Sequence, residues 1–384
     1  MIPLSTPYLN GNELNYVREC IETSWVSTEG KYVAKFEADI CRYTCAKYAV
    51  ACINGTTGLQ IGLSLLGVGY NDEVLVPTLT FIAPVNAVKY LQAEPVFMDC
   101  DDYMNIDPEK TREFCRTECK VTSKGLKNKK TNRIIKAILP IHVFGNPCDM
   151  EKIMNIAETY NLKIIEDATE SLGSYYTEGI YKGRFTGTIG DVGVYSFNGN
   201  KIITTGGGGM IVTNDEYIAK KAKYLTTQAK DDPIRYIHNE IGYNFRLTNI
   251  QAALGVAQLE QLNDFIQIKK KNYKLYKERI NDIRGLKILN IPEHTSSNYW
   301  FYSLIIDKNE YGMDKEELMN KLEKKEIQTR PLWYPNHMQK PYLNNQYYKI
   351  EKALWFWERV LNIPCSSNLR EEDIKNIVSI LGGS

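Results

Sequence analysis

The chemistry in this chain gathers at residues that each close an apolar stretch. Lys201 stands in Ser196-Phe197-Asn198-Gly199-Asn200-Lys201, which puts a hydroxyl, two amides and an amine on the turn leaving the strand-like run Asp191 to Phe197. A lysine there emerges at the carboxyl edge of a sheet, where open α/β sheets bind their ligands. Four glycines, Gly206 to Gly209, follow shortly and give a backbone that can turn tightly beside a bulky planar group. One lysine among 47 basic residues proves little, because most lysines are solvated. Its upstream partners carry the argument. Leu162 to Ile165 delivers Glu166-Asp167-Ala168-Thr169-Glu170 to the same edge, and the strand Glu73 to Pro77 leads through Thr78-Leu79-Thr80 to Phe81. Tyr48 to Cys52 runs into Asn54-Gly55-Thr56-Thr57-Gly58 and then a helix, Gly58 to Leu66, apolar nearly all round. Thr56 and Thr57 thus sit at a buried helix N-terminus, where free N–H groups, the positive end of the dipole and two hydroxyls suit a phosphate; simple N-capping is the competing reading.

Together these groups match the needs of a pyridine-ring cofactor with a phosphate tail. Lys201 would form a Schiff base, Asp167 would keep the ring nitrogen protonated so that the ring acts as an electron sink, and Phe81 would cover one ring face. No G-x-G-x-x-G follows a strand, which weakens a dinucleotide fold.

The elements that must position these residues alternate strand, helix and strand through the first half of the chain, which implies a mostly parallel, doubly wound sheet. Helices are expected at Gly11 to Thr23, Val33 to Thr44, Pro84 to Tyr90 and Met150 to Tyr160, and a strand at Pro95 to Asp99. Thr111 to Asn132 reads as a helix followed by an exposed loop. Ile134 to Phe144 is an apolar run ending in a turn, and His142 within it reads as a satisfied core or edge histidine. One long helix from Thr248 towards Ile280 should lead to a smaller domain, with strands at Trp300 to Ile306, Ile327 to Tyr334 and Leu361 to Cys365 and helices at Lys315 to Lys325 and Glu371 to Leu381. A chain of 384 residues exceeds what one core usually supports. The expected division is a large domain, 1–250, and a linking helix with a small domain, 251–384, the N-terminal segment being an alternative member of the latter. Trp25, in the Ser/Thr/Gly turn up to Lys31, and Arg330, Tyr334 and His337 are candidates for facing a substrate; core-edge packing and surface-loop roles explain them as well.

Basic and acidic residues nearly cancel, 47 against 46, so neither nucleic acid nor a membrane surface is an expected partner, and a small-molecule enzyme fits better. Nine scattered cysteines without an N-terminal apolar segment point to a reducing cytoplasm rather than a disulfide framework. Cys41 with Cys45 and Cys115 with Cys119 lack nearby histidines, so no metal is expected. No apolar run approaches the ~20 residues of a membrane span.

Several motifs resemble the DegT/DnrJ/EryC1/StrS family of sugar aminotransferases over essentially the whole chain. They are N-G-T-T-G at Asn54 to Gly58, T-F at Thr80 and Phe81, E-D-A-T-E at Glu166 to Glu170, S-F-N-G-N-K at Ser196 to Lys201, the glycine run to Met210, and G-Y-N-F-R-L-T-N-I-Q-A-A-L-G at Gly242 to Gly255. The resemblance implies a fold-type I pyridoxal 5'-phosphate transferase with a large doubly wound domain and a smaller α/β C-terminal one. It implies Lys201 as the Schiff-base lysine, Asp167 at the ring nitrogen, Phe81 in stacking, and Thr56, Thr57 and Ser196, with Asn198, around the cofactor. Glu170 stands where many relatives have glutamine near the ring hydroxyl. Asn244 is implied to reach the cofactor phosphate of a second subunit, giving a homodimer with shared sites, and Arg246 follows on the substrate side. The lysine is retained where some dehydratase relatives have histidine, which favours transamination. N-G-N-K-I-I-T-T at Asn198 to Thr205 and I-Q-T-R-P-L-W at Ile327 to Trp333 look most like aminotransferases of N-acetylbacillosamine and legionaminic acid synthesis. The expected reaction moves an amino group from L-glutamate to C4 of a UDP- or GDP-linked 4-keto-6-deoxy-N-acetylglucosamine. The alternatives are a GDP-perosamine-type aminotransferase, a sugar dehydratase using the same cofactor, and a binding protein that has kept the fold.

Overall fold

A computed structural model describes residues 1–383. Its large sheet takes β1 (Tyr48–Cys52), β2 (Glu73–Pro77), β3 (Glu94–Met98), β4 (Cys119–Thr122), β5 (Gly125–Asn128), β6 (Ile134–Ile138) and β7 (Lys163–Asp167) from the first half. After the short β8 (Tyr175–Tyr176) come β9 (Val192–Ser196) and β10 (Gly209–Thr213). A smaller antiparallel sheet holds β11 (Leu286–Ile288), β13 (Tyr302–Ile306), β14 (Arg330–Pro331) and β16 (Val360–Ile363). Of the others, β12 (Thr295–Ser296) pairs with β8, and β15 (Tyr347–Tyr348) belongs to the large sheet.

The large sheet runs β1-β10-β9-β7-β6-β2-β3-β15. From β9 to β15 its pairs are parallel, whereas β10 lies antiparallel to both β9 and β1. The strands β2 and β10 are buried along their whole length, as expected of strands covered on both faces. Helices α1 (Glu13–Glu22), α2 (Lys31–Thr44), α3 (Gly55–Leu65), α4 (Ile82–Tyr90), α5 (Pro108–Thr117), α6 (Met150–Tyr160), α7 (Glu216–Thr226) and α8 (Asn249–Glu260) surround that sheet. In α2 the buried residues Tyr32, Phe36, Ile40 and Thr44 recur every fourth position, the stripe of an amphipathic helix.

Three expectations are corrected. The single long helix is two: α8 ends at Glu260, and α9 (Leu262–Ile280) begins after Gln261. The break falls where Gln258 and Gln261 both turn their amides to the buried carboxylate of Glu13, at 2.6 and 2.8 Å. Residues 119–128 form the β4–β5 hairpin rather than a loop; Cys119 and Leu126 face inward, and the outward lysines made the segment read as polar. The strand expected across 327–334 shrinks to Arg330–Pro331, since Pro331 has no N–H to continue a ladder.

Residues 336–348 leave the small sheet and return to the large one, where Tyr347 and Tyr348 pair with Phe97 and Met98. At the other terminus Ile2 bridges Ile327, and Leu4 accepts from the Cys365 N–H. Among the described residues no helix is long and apolar enough to cross a membrane, and no group of His, Cys, Asp or Glu could hold a metal ion. The nine cysteines are free thiols.

Candidate active site

The carboxyl ends of β1, β2, β7 and β9 open into one cleft of about 360 Å³. Asn54 caps α3, its side chain accepting from the Thr57 N–H at 2.9 Å, while the Thr57 hydroxyl donates back to the Asn54 carbonyl. Thr57 is therefore spent on the cap, and Gly55 and Thr56 line the cleft. Gly55 lies close against both strand ends: a Cβ there would lie 2.9 Å from Thr169 Cγ2 and 3.1 Å from the Ser196 Cβ, so those side chains would have to shift. The helix start is thereby brought against the ends of β7 and β9. Its first turn carries no acidic side chain, and first-turn N–H groups have no partner within a helix.

Asp167 is buried, and its Oδ1 accepts from the Thr169 N–H at 3.0 Å. Burial pushes its carboxyl above the ordinary range, opposed by the bonds from Thr169 and by the positive charge of Lys201. Behind it, Glu166 is wholly buried and accepts from the N–H groups of Gly187, Ile189 and Gly190 and from His142 Nε2 at 3.0 Å. Burial acts to raise the Glu166 pKa, but these donors prevail and hold it below the usual carboxylate range. His142 Nδ1 accepts from the Cys148 N–H, so the ring proton sits on Nε2, and the histidine is the satisfied core residue expected.

Lys201 Nζ lies 3.7 Å from Glu170 Oε1 and 4.2 Å from the centre of the Trp300 ring. Its side chain is only 13% exposed, and Trp300 is fixed by donating from Nε1 to the Asn200 carbonyl at 2.7 Å. Burial pushes Glu170 up to about 7, against the lysine charge and the Phe144 N–H that its Oε2 accepts at 2.8 Å. Phe81 is 54% exposed at the mouth, an aromatic face left open to the cleft. Ser196 and Asn198 also line it.

The other candidates lie elsewhere within one chain. Asn244 is exposed beside Thr227, and Arg246 has a buried Nε with no partner and a long contact to Gln228. Trp25, 56% exposed, borders a separate pocket with Glu29 and Lys31. Arg330 is exposed, and Tyr334 packs edge-on against Trp357 at 5.3 Å. His337 is bonded to Thr78 and does not line the cleft. Conversely, sequence reasoning left out Trp300, Phe301 and Trp333, which form the aromatic wall of the cleft. Their only signal was aromatic crowding in residues that read as ordinary strand and core.

The site fits pyridoxal 5'-phosphate. Asp167 would hold the ring nitrogen, the α3 start with Thr56 and Ser196 the phosphate, Phe81 a ring face and Lys201 the carbonyl carbon. Fold and site together define a fold-type I pyridoxal phosphate enzyme. The family profile of the DegT/DnrJ/EryC1/StrS aminotransferases matches residues 7–382. The chain is 39% identical to a GDP-perosamine synthase of Escherichia coli O157:H7, covering 97% of this chain and 95% of that one. It is 35% identical to a GDP-perosamine synthase of Caulobacter vibrioides, covering 99% and 97%. A DegT DnrJ EryC1 StrS aminotransferase from Brucella abortus superposes with a TM-score of 0.86 at 28% identity, covering 97% and 95%. The chain belongs to the DegT/DnrJ/EryC1/StrS aminotransferase family and is a sugar aminotransferase.

Proposed function

We propose that this enzyme transfers the amino group of L-glutamate to C4 of a GDP-linked 4-keto-6-deoxy sugar with a free 2-hydroxyl, the chemistry of a GDP-perosamine synthase. The observation that carries the choice of sugar is the 39% identity to such an enzyme over 97% of the chain. A resemblance of short motifs to the N-acetyl-sugar pathways weighs less than one that spans nearly the whole chain.

Bound pyridoxal 5'-phosphate supplies the electron sink that stabilises negative charge on the carbon losing or gaining a proton. The chain supplies the rest. Lys201 Nζ takes the α-proton of the amino donor and, in the return half, serves proton delivery to C4 of the sugar. Asp167, buried and backed by the charged Glu166, favours a protonated ring nitrogen. Glu170, titrating near 7, can hold a proton beside Lys201 while its Oε2 stays fixed by the Phe144 N–H. The aromatic wall of Trp300, Phe301 and Trp333 excludes water from this side of the cleft.

The reading includes a homodimer whose partner completes each site through the loop at Gly242 to Arg246. Its support is the exposed apolar set in the residues just before that loop: Ile234 is 82%, Tyr236 73% and Ile241 88% exposed.

The test is steady-state kinetics with L-glutamate on GDP-4-keto-6-deoxymannose and on the UDP-linked 4-keto-6-deoxy-N-acetylglucosamine. We expect kcat/KM at least tenfold higher for the former, the lower end of what leaving one buried polar group unpaired costs, about 1–3 kcal/mol. The reverse order would return the N-acetyl sugar as substrate. Lys201→Ala should abolish turnover and prevent borohydride from fixing the cofactor to the protein.

A further inference from the structure

The turn that carries Phe81 into the cleft is held from far along the chain. Asn336 is 1% exposed, and its Nδ2 donates to the carbonyls of Thr78 at 3.1 Å and Thr80 at 2.7 Å. Its backbone N–H donates to the Thr78 carbonyl at 2.9 Å. The next residue's N–H, from His337, donates to Thr78 Oγ1 at 3.2 Å. The same hydroxyl is hydrogen-bonded to His337 Nδ1, 2.7 Å away. Thr78 and Thr80 are themselves buried, at 0% and 2% exposure, so without Asn336 their carbonyls would lose buried hydrogen bonds. The Asn336 Oδ1 has no partner. An amide whose nitrogen is used twice and whose oxygen is idle is there to donate.

The segment that bears this clamp also shapes the rest of the cleft. Trp333, three residues upstream, lines it and packs on Phe144 at 4.7 Å, whose N–H fixes Glu170. One end of the segment is tied into the small sheet at Arg330–Pro331 and the other into the large sheet at Tyr347–Tyr348.

We infer that Asn336 and His337 are positioning residues: they fix the backbone at Thr78–Thr80 so that Phe81 presents its ring to the cofactor. Retention of the cofactor thereby depends on the segment that links the two sheets. The inference rests on the pyridoxal phosphate reading of the cleft. It assigns the Nδ1 of His337 to Thr78.

Asn336→Asp removes both side-chain donors and sets a carboxylate against two carbonyls; Thr78→Val removes only the hydroxyl while keeping the shape. Each protein is reconstituted with pyridoxal 5'-phosphate, and cofactor affinity and visible circular dichroism are measured. Asn336→Asp should weaken cofactor binding at least tenfold and reduce the visible dichroic band by half or more. Thr78→Val should weaken binding three- to fivefold, and Thr78→Ser should match the wild type. In a Phe81→Ala background Asn336→Asp should add little, because the clamp acts through that ring. Affinity within twofold of wild type in a folded Asn336→Asp protein, or full additivity with Phe81→Ala, overturns the inference. If Asn336→Asp does not fold, unchanged affinity in Thr78→Val overturns it. A wild type that binds no pyridoxal 5'-phosphate overturns the cofactor reading itself, a result distinct from the others.

Discussion

Glu170 is the residue whose environment gives the plainest pH signature. Burial is the largest cause of its displacement, the nearby Asp167 charge adds to it, and Lys201 and the Phe144 N–H oppose it, leaving a pKa of about 7. An unfolded glutamate titrates near ~4.3, so the folded state binds this proton more tightly. The sign follows: the contribution to stability is complete below the unfolded value and is lost as pH rises through about 7. Glu170→Gln keeps an oxygen for the Phe144 N–H and removes the titration. Relative to wild type, the cofactor-free variant should therefore gain on the order of 1–3 kcal/mol between pH 5 and pH 8, less whatever the lysine charge returns. Thermal unfolding of both proteins at the two pH values checks this; an identical difference at both would show that Glu170 does not titrate there.

At the scale of elements, the site depends on how closely α3 approaches the sheet. Gly209 in β10 pairs with Cys52 of β1 on one side and Ser196 of β9 on the other. A Cβ on Gly209 would lie 2.5 Å from the Asn54 carbonyl carbon and 2.8 Å from the Gly55 nitrogen, both backbone atoms. Gly209→Ala must therefore push the start of α3 away from the strand ends. We expect a loss of about 1–3 kcal/mol of stability, the cost of overpacking, together with weakened binding of pyridoxal phosphate through its phosphate. Denaturant unfolding and cofactor titration measure the two effects separately; a variant with native stability and affinity would mean that the helix start tolerates displacement.

At the scale of the whole molecule, the candidates that fall outside the cleft of one chain include Asn244 and Arg246, on a loop with an exposed apolar neighbourhood. The dimer reading makes a specific prediction. Lys201→Ala and Asn244→Ala proteins, each inactive alone, should regain up to one intact site per heterodimer when unfolded and refolded together. Size-exclusion chromatography and activity of the mixture test it, and a monomer that turns over would refute it.

Sequence alone determined the strand ends that bear Asp167, Ser196 and Lys201, and the helix start at Asn54 to Thr57, because local patterning and turn chemistry fix where a parallel sheet ends. It also indicated the fold class through strand and helix alternation. The hairpin at 119–128 was hidden because it buries few residues, Cys119, Leu126 and Asn128, too few to stand out as an apolar run, and the break at Gln261 because the Glu13 that Gln258 and Gln261 bond there lies far away in the chain. The aromatic wall of Trp300 and Trp333 was equally hidden, since a tryptophan in a strand looks the same whether it faces a core or a cleft. Only the tertiary structure decided that Thr57 turns into its cap, that His337 binds Thr78 instead of the cleft, and that residues 336–348 cross back to the large sheet. Each of these depends on contacts between residues far apart in the chain or on the choice of a rotamer, and neither is written in local periodicity.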